Sequence, residues 1–145
     1  MGCFKSQDEF KKVFDLLFET LSNDPEVGPK LRATHSLQRY VFTDIGLTLN
    51  VRDADARRAA MGHALTWSWG AACSWKPEVV LQMSSDVANR FFQGRENVPL
   101  AFARKTIVLK AGSMAQVLDL LPIVRPFNPK WIARLKVEGW THLLV

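Results

Sequence analysis

In four stretches between Leu37 and Ala111 the apolar side chains recur at every second position, and that period decides what the chain can fold into. From Leu37 it runs through Tyr40 and Phe42, then a turn at Thr43-Asp44-Ile45-Gly46. Leu47, Leu49 and Val51 follow, alternating with Thr48, Asn50 and Arg52, which is the pattern of a hairpin. The alternation returns at Leu65, Trp67, Trp69, Ala71 and Cys73, again at Val79, Leu81 and Met83, and last at Ile107, Leu109 and Ala111 opposite Thr106, Val108 and Lys110. Strands buried on both faces read as unbroken apolar runs. These strands have one apolar and one largely polar face, so the spacing predicts an α+β sheet with helices on one side and argues against a doubly wound nucleotide-binding fold.

The covering helices announce themselves at their ends. Ser6 and Glu9 form a capping box ahead of Phe10, Val13, Phe14, Leu17, Phe18 and Leu21, predicting a helix over about 7–22, and Pro25 to Ala33 suits a short second one. Ser84 or Ser85 caps a helix that carries Phe91 and Phe92 and ends at Gly94; Asn97-Val98-Pro99 opens another that reaches Arg104. Ser113 and Gln116 form a second capping box before Val117, Leu118, Leu120 and Leu121, with a stop expected at Pro122. Asn128-Pro129 starts a last helix bearing Trp131, Ile132 and Leu135, closed by Gly139.

Charge and motifs exclude more than they select. Residues 1–85 carry ten basic and ten acidic side chains, whereas residues 86–145 carry nine and four, so the net +5 lies wholly in the second part. Arg125, Lys130, Arg134 and Lys136 lead to an expectation of weak contact with anionic membranes; the basic residues are too sparse, and zinc-finger spacing and RNP-type strands too clearly missing, to expect nucleic acid. Cys3 and Cys73 give no disulfide framework and fit a reducing cytoplasm. The phosphate-loop, dinucleotide-loop, nucleophile-elbow and H-E-x-x-H motifs do not occur. His35, His63 and His142 stand singly, without metal-ligand spacing, and His63 with Cys73 is a weak nucleophile–base pairing. The expectation is therefore a non-enzyme without metal or cofactor. Met1-Gly2-Cys3-Phe4-Lys5-Ser6 matches a myristoylation pattern beside a palmitoylatable cysteine, although Ser6 already has a place as a helix cap.

Nine Phe and five Trp, two of them on one strand face, can fill a core or line a gap in it. A gap of that kind suits lipid-like ligands, which gain about 0.8 kcal/mol for each buried methylene and need few polar contacts.

The stretch Pro77 to Gly94, PEVVLQMSSDVANRFFQG, continues as RENVPLAFARKTIVLKAG to Gly112 and SMAQVLDLLPIVRPF to Phe127. A strand running into a Met-Ser cap, a helix ending in an aromatic pair and Gly, an Asn-x-Pro-x-Ala helix and a strand closing on Gly together resemble the sterol carrier protein type-2 family, here as a single domain over residues 1–145. The resemblance implies a five-stranded mixed, mainly antiparallel sheet covered on one face by helices and enclosing an apolar tunnel, free of cofactors, that takes sterols, fatty acids, acyl-CoA or other lipids. Three departures stand out. Lys105 occupies a position where the family commonly has Gly, the Asp53–Ala64 stretch is longer than the usual connection, and the C-terminal residues lack the peroxisomal S-K-L signal of eukaryotic members.

Binding or transfer of a hydrophobic lipid-like molecule is accordingly the leading expectation, with presentation of a hydrophobic intermediate to a partner enzyme as the alternative. Trp67 and Trp69, projecting from the sheet, are expected to bound the cavity with Phe91, Leu100, Ala101, Leu118, Leu121 and Trp131 from the covering helices. Residues 53–64, with few apolar anchors, are the expected mobile rim, and residues 122–145 a wall.

Overall fold

The structure is a computed structural model and describes residues 2–145. The strands are β1 (Gln38–Phe42), β2 (Leu47–Asp53), β3 (Leu65–Trp69), β4 (Val79–Met83) and β5 (Ile107–Ala111), in the spatial order β3-β2-β1-β4-β5. Neighbours pair antiparallel except β1 and β4, which are parallel; the intervening β2 and β3 supply the crossover. The register aligns Tyr40, Leu49 and Leu81 across the sheet, and Val51 with Trp67. The alternating apolar residues thus share one face, with Val41, Val80 and Val108 among the polar residues of the other.

Helices α1 (Gln7–Asn23), α2 (Val27–Thr34), α3 (Ala56–Ala60), α4 (Ser85–Phe92), α5 (Val98–Ala103), α6 (Met114–Val124) and α7 (Asn128–Val137) complete the chain. The capping boxes behave as read, with one refinement. Ser6 Oγ accepts from Glu9 N at 3.0 Å, but Glu9 reaches back to the N–H of Lys5, one residue earlier than the motif anticipates. At Ser113 both reciprocal bonds form.

α1 lays its whole apolar stripe on the sheet. Phe10 stacks on Phe14 with centroids 4.1 Å apart, and Phe42 of β1 meets Phe10 edge-on at 4.7 Å. Each such ring, wholly out of water, contributes about 1.5–3 kcal/mol, so this aromatic block seals that part of the sheet. Ser22 ties the end of α1 to the start of β3: its Oγ accepts from the N–H groups of Ala64 and Leu65, both at 3.0 Å.

Two boundaries differ from the sequence reading. β3 stops at Trp69 and does not continue to Cys73, because Gly70, at φ +114°, turns the chain onto the polar face. There Asn50 Nδ2 donates to the Gly70 carbonyl at 2.7 Å and Arg39 to that of Ala71 at 2.8 Å, replacing strand pairing with side-chain bonds. Cys73 thus sits in a loop on the polar side, not on the apolar strand face. The second difference is Pro122, which lies inside α6 and does not end it. Its missing N–H leaves the Leu118 carbonyl without a helical donor, yet the helix runs one further half-turn to Val124.

Candidate functional site

The space that the aromatic block leaves unfilled lies at the other part of the apolar face, under α2 and α6. Its floor is Tyr40, Val51, Leu65, Val79 and Leu81 from four strands; its roof is Val117, Leu120, Leu121 and Val124 of α6, with Phe18, Leu31, Phe91 and Phe92 around the sides. The helical period explains the roof: residues 117, 120, 121 and 124 share one face. The volume is about 40 Å³. That is room for a water molecule or a few, well below the 300 Å³ or so at the small end of ligand pockets.

The lining carries no charged side chain. Its polar groups form one relay: Tyr40 Oη donates to Gln38 Oε1 at 2.6 Å, and Gln38 Nε2 donates to Ser36 Oγ at 3.1 Å. Burial pushes the Tyr40 hydroxyl above the usual phenol range, so it stays a donor at any physiological pH.

Against that geometry, the sequence-derived residues divide. Phe91 and Leu121 line the cavity. Trp67 and Trp69 project from the expected face, yet both indole N–H groups are committed to Asp15 of α1, at 3.1 and 2.7 Å, and they lie outside the lining. Leu118 packs against the core without reaching the cavity, Ala101 is buried on the inner side of α5 but outside the lining, and Leu100 points outward, 41% exposed. Trp131 is 1% exposed and stacks on Phe127 with centroids 6.3 Å apart, outside the lining. The two-residue alternation finds the right face but does not say which part of it the Phe block fills, and Asp15 gave no signal because it lies beside the apolar stripe of α1. Val117 and Val124 were discoverable from the helical period of α6; Ser36 and Gln38, adjacent to a strand start, were not.

Phe91, Leu121 and Val124 have a second side. They also form the inner wall of an open groove of about 520 Å³ between the α4–α5 connection and α6–α7, with Val98, Pro99 and Ile132 as apolar walls and Arg95, Arg125 and Glu96, the last paired with Arg90, as its charged residues. Cavity and groove are separated by this one layer of side chains. Residues 53–64, the expected rim, contribute nothing to either. α3 is capped by Asp55, whose carboxylate accepts from Arg58 N at 2.9 Å, and buries none of its residues.

At the N-terminal end, Gly2 adopts φ +68°, and a Cβ there would fall 2.0 Å from the Asp86 carboxylate. Asp86 Oδ1 accepts from both the N–H and the thiol of Cys3, each at 3.0 Å. Burial, reinforced by that carboxylate, pushes the Cys3 thiol up to about 12. Met1, the first residue of the lipidation pattern, lies outside the described residues.

Similar architecture occurs in solved proteins. UbiJ-SCP2, described as a ubiquinone synthesis protein, superposes with a TM-score of 0.57 over 83% of this chain and 93% of its own, at 7% identity. The sterol carrier protein domain 2 of Helicoverpa armigera gives 0.55 over 81% and 87%, at 19% identity. The fold is that of the SCP2 domain. The sec-alkylsulfatase Pisa1 from Pseudomonas sp. contains the same architecture as a small part: a double mutant of it matches with a TM-score of 0.58 at 20% identity, covering 85% of this chain and 17% of the sulfatase. This chain thus spans about a sixth of that enzyme's length. No protein-family model matches the chain, and no curated protein matches it by sequence. The likeness to SCP2 domains is one of fold.

Proposed function

We propose that this SCP2-fold chain binds a hydrophobic, lipid-like molecule between the sheet and α6, and transfers or presents it. The observation that carries the reading is the charge-free cavity roofed by one face of α6. An apolar chain placed there gains burial along its whole length, whereas an ionised group placed there is deprived of water without a partner. The Ser36–Gln38–Tyr40 relay offers hydrogen bonds to a neutral hydroxyl or carbonyl at one end. A charged head group stays at the groove, beside Arg95 and Arg125.

Ligand binding requires α6 to move outward, since about 40 Å³ does not hold an acyl chain. The sealing layer of Phe91, Leu121 and Val124 is then the gate, and groove and cavity merge into the tunnel expected from the sequence. Two free thiols suit a cytoplasmic setting. A second reading, delivery of a hydrophobic intermediate to an enzyme, draws on the SCP2-fold proteins described as a ubiquinone synthesis protein and as part of a sulfatase. Purified protein extracted with organic solvent and analysed by mass spectrometry should yield a stoichiometric lipid. A Leu121→Asp variant, which brings a carboxylate into the lining, should yield at least tenfold less. Equal recovery from both proteins contradicts the reading.

A further inference from the structure

Among the helices of more than one or two turns, α6 hides the smallest share of its residues. Of its eleven residues, Met114-Ala115-Gln116-Val117-Leu118-Asp119-Leu120-Leu121-Pro122-Ile123-Val124, only Val117 is buried, and Asp119 is the one charged side chain. A helix apolar around most of its circumference belongs in a core or against an apolar partner. Here one face roofs the cavity, while Met114 stays 44% exposed and Pro122 exposed on the far side.

The charges at its end indicate what the partner is. Arg125 caps the C-terminal end of α6, where the carbonyl ends already favour a cation, and Arg95 faces the same groove. Among the described residues, neither forms an ion pair, unlike Arg90, which is held by Glu96 at 2.8 Å, or Lys130, held by Asp24 at 2.9 Å. Two uncommitted guanidiniums beside a partly exposed apolar helix complement an interface that is anionic at its surface and apolar beneath it.

We propose that α6 and the rim of the adjoining groove, with Arg95 and Arg125, form the face that docks onto an anionic phospholipid bilayer. Met114, Ala115 and Pro122 of α6 enter the apolar boundary of the leaflet, Asp119 stays at the head groups where its charge opposes docking, the arginines lie at the phosphates, and the groove opens toward the lipid, one side-chain layer from the cavity. Of the four basic residues that the sequence expectation named, Arg125 is retained here, whereas Lys130 and Arg134 of α7 are engaged by Asp24 and Glu138. The proposal rests on the cavity being the lipid site, because only then does docking α6 serve transfer.

The test is sedimentation with vesicles of phosphatidylcholine, with and without phosphatidylserine. Each arginine near an anionic surface contributes about fivefold in partitioning, an effect screened within about 8 Å at physiological salt. The Arg95→Gln, Arg125→Gln double variant should therefore bind phosphatidylserine vesicles about thirtyfold more weakly. Asp119→Asn should bind about fivefold more tightly, and Arg57→Gln on exposed α3 should match the parent. A loss with Arg57→Gln equal to that of the double variant, no dependence on phosphatidylserine, or a dimer that buries α6 overturns the proposal. Binding of cis-parinaric acid without vesicles, followed by energy transfer from Trp, is measured alongside. Its absence defeats the cavity reading and leaves the vesicle result to decide the docking face.

Discussion

Lys105 shows how a single residue records the demands of the fold. It takes φ +60°, between α5 and β5, where its N–H donates to the Phe102 carbonyl and the chain reverses into the sheet. The resemblance to a family with Gly at this point marked the position, and the left-handed conformation is the physical reason. An L side chain there costs about 1–2 kcal/mol, partly offset by the greater unfolded-state freedom of Gly. Lys105→Gly should stabilise the protein by about 0.5–1 kcal/mol in urea unfolding; destabilisation counts against this account of the turn. Cys3 supports a second expectation at the same scale. A thiol raised to about 12 presents about a thousandth of the thiolate of an ordinary cysteine at pH 8. Iodoacetamide should thus label Cys73 long before Cys3 in the folded protein, and Asp86→Asn should narrow the gap. Equal labelling rates in the parent contradict the Asp86 contact.

Among the elements, α4 holds the C-terminal segment in place through two buried amides. Asn89 Nδ2 and Gln93 Nε2 both donate to the Leu143 carbonyl at 2.8 Å, and Gln93 Nε2 also donates to Asn89 Oδ1 at 2.9 Å. The i, i+4 spacing puts them on one side of the helix, with Phe92 between them buried against Tyr40 and Phe14. Asn89→Ala should cost about 2–3 kcal/mol, since it removes one donor to Leu143 and leaves one N–H of the buried Gln93 amide without its acceptor, with hydrogen exchange faster over residues 140–145. A cost under about 0.5 kcal/mol denies the clamp. The elements also show where sequence reading works and where it stops. Amphipathic α1 and the alternating strands were legible because one period runs through each. The end of β3 was not, because alternation persists through Ala71 and Cys73 while Gly70 and the side chains of Arg39 and Asn50 redirect the backbone. Pro122 misled for a related reason: a hydrogen bond lost in the last turn is tolerated when the helix is held by its cavity face.

Over the whole molecule, several carboxylates fix one element to another. For Asp24 burial alone would raise the pKa, but the N–H groups of Val27 and Glu26 and the Lys130 ammonium together hold it below the usual range. Asp86 is lowered by the Cys3 N–H and thiol, and Asp53, despite its burial, by His35 and Arg52. Groups depressed in the folded state add stability that is complete above their unfolded values near pH 4 and disappears as pH falls through the folded ones. Unfolding free energy should be flat from about pH 6 to 8 and drop steeply below about pH 4, with Asp24→Asn flattening the drop; a decline already complete at pH 5 conflicts with carboxylates held low in the folded protein. At this scale the sheet and its one-sided cover were legible in the sequence, whereas of the eight residues expected around a cavity only Phe91 and Leu121 line the one beneath α6. Periodicity assigns residues to faces. Which aromatic closes the core and which leaves a space depends on ring packing between residues as distant as Phe14 and Phe92.

The central claim, a hydrophobic ligand taken up beneath α6, is tested most directly by methyl-resolved NMR during titration with cis-parinaric acid. Shifts should concentrate at Val51, Leu81, Val117, Leu121 and Val124, with Val41 and Val108 on the opposite sheet face unmoved. Shifts confined to Val41, Val80 and Val108, or none at saturating ligand, would contradict it.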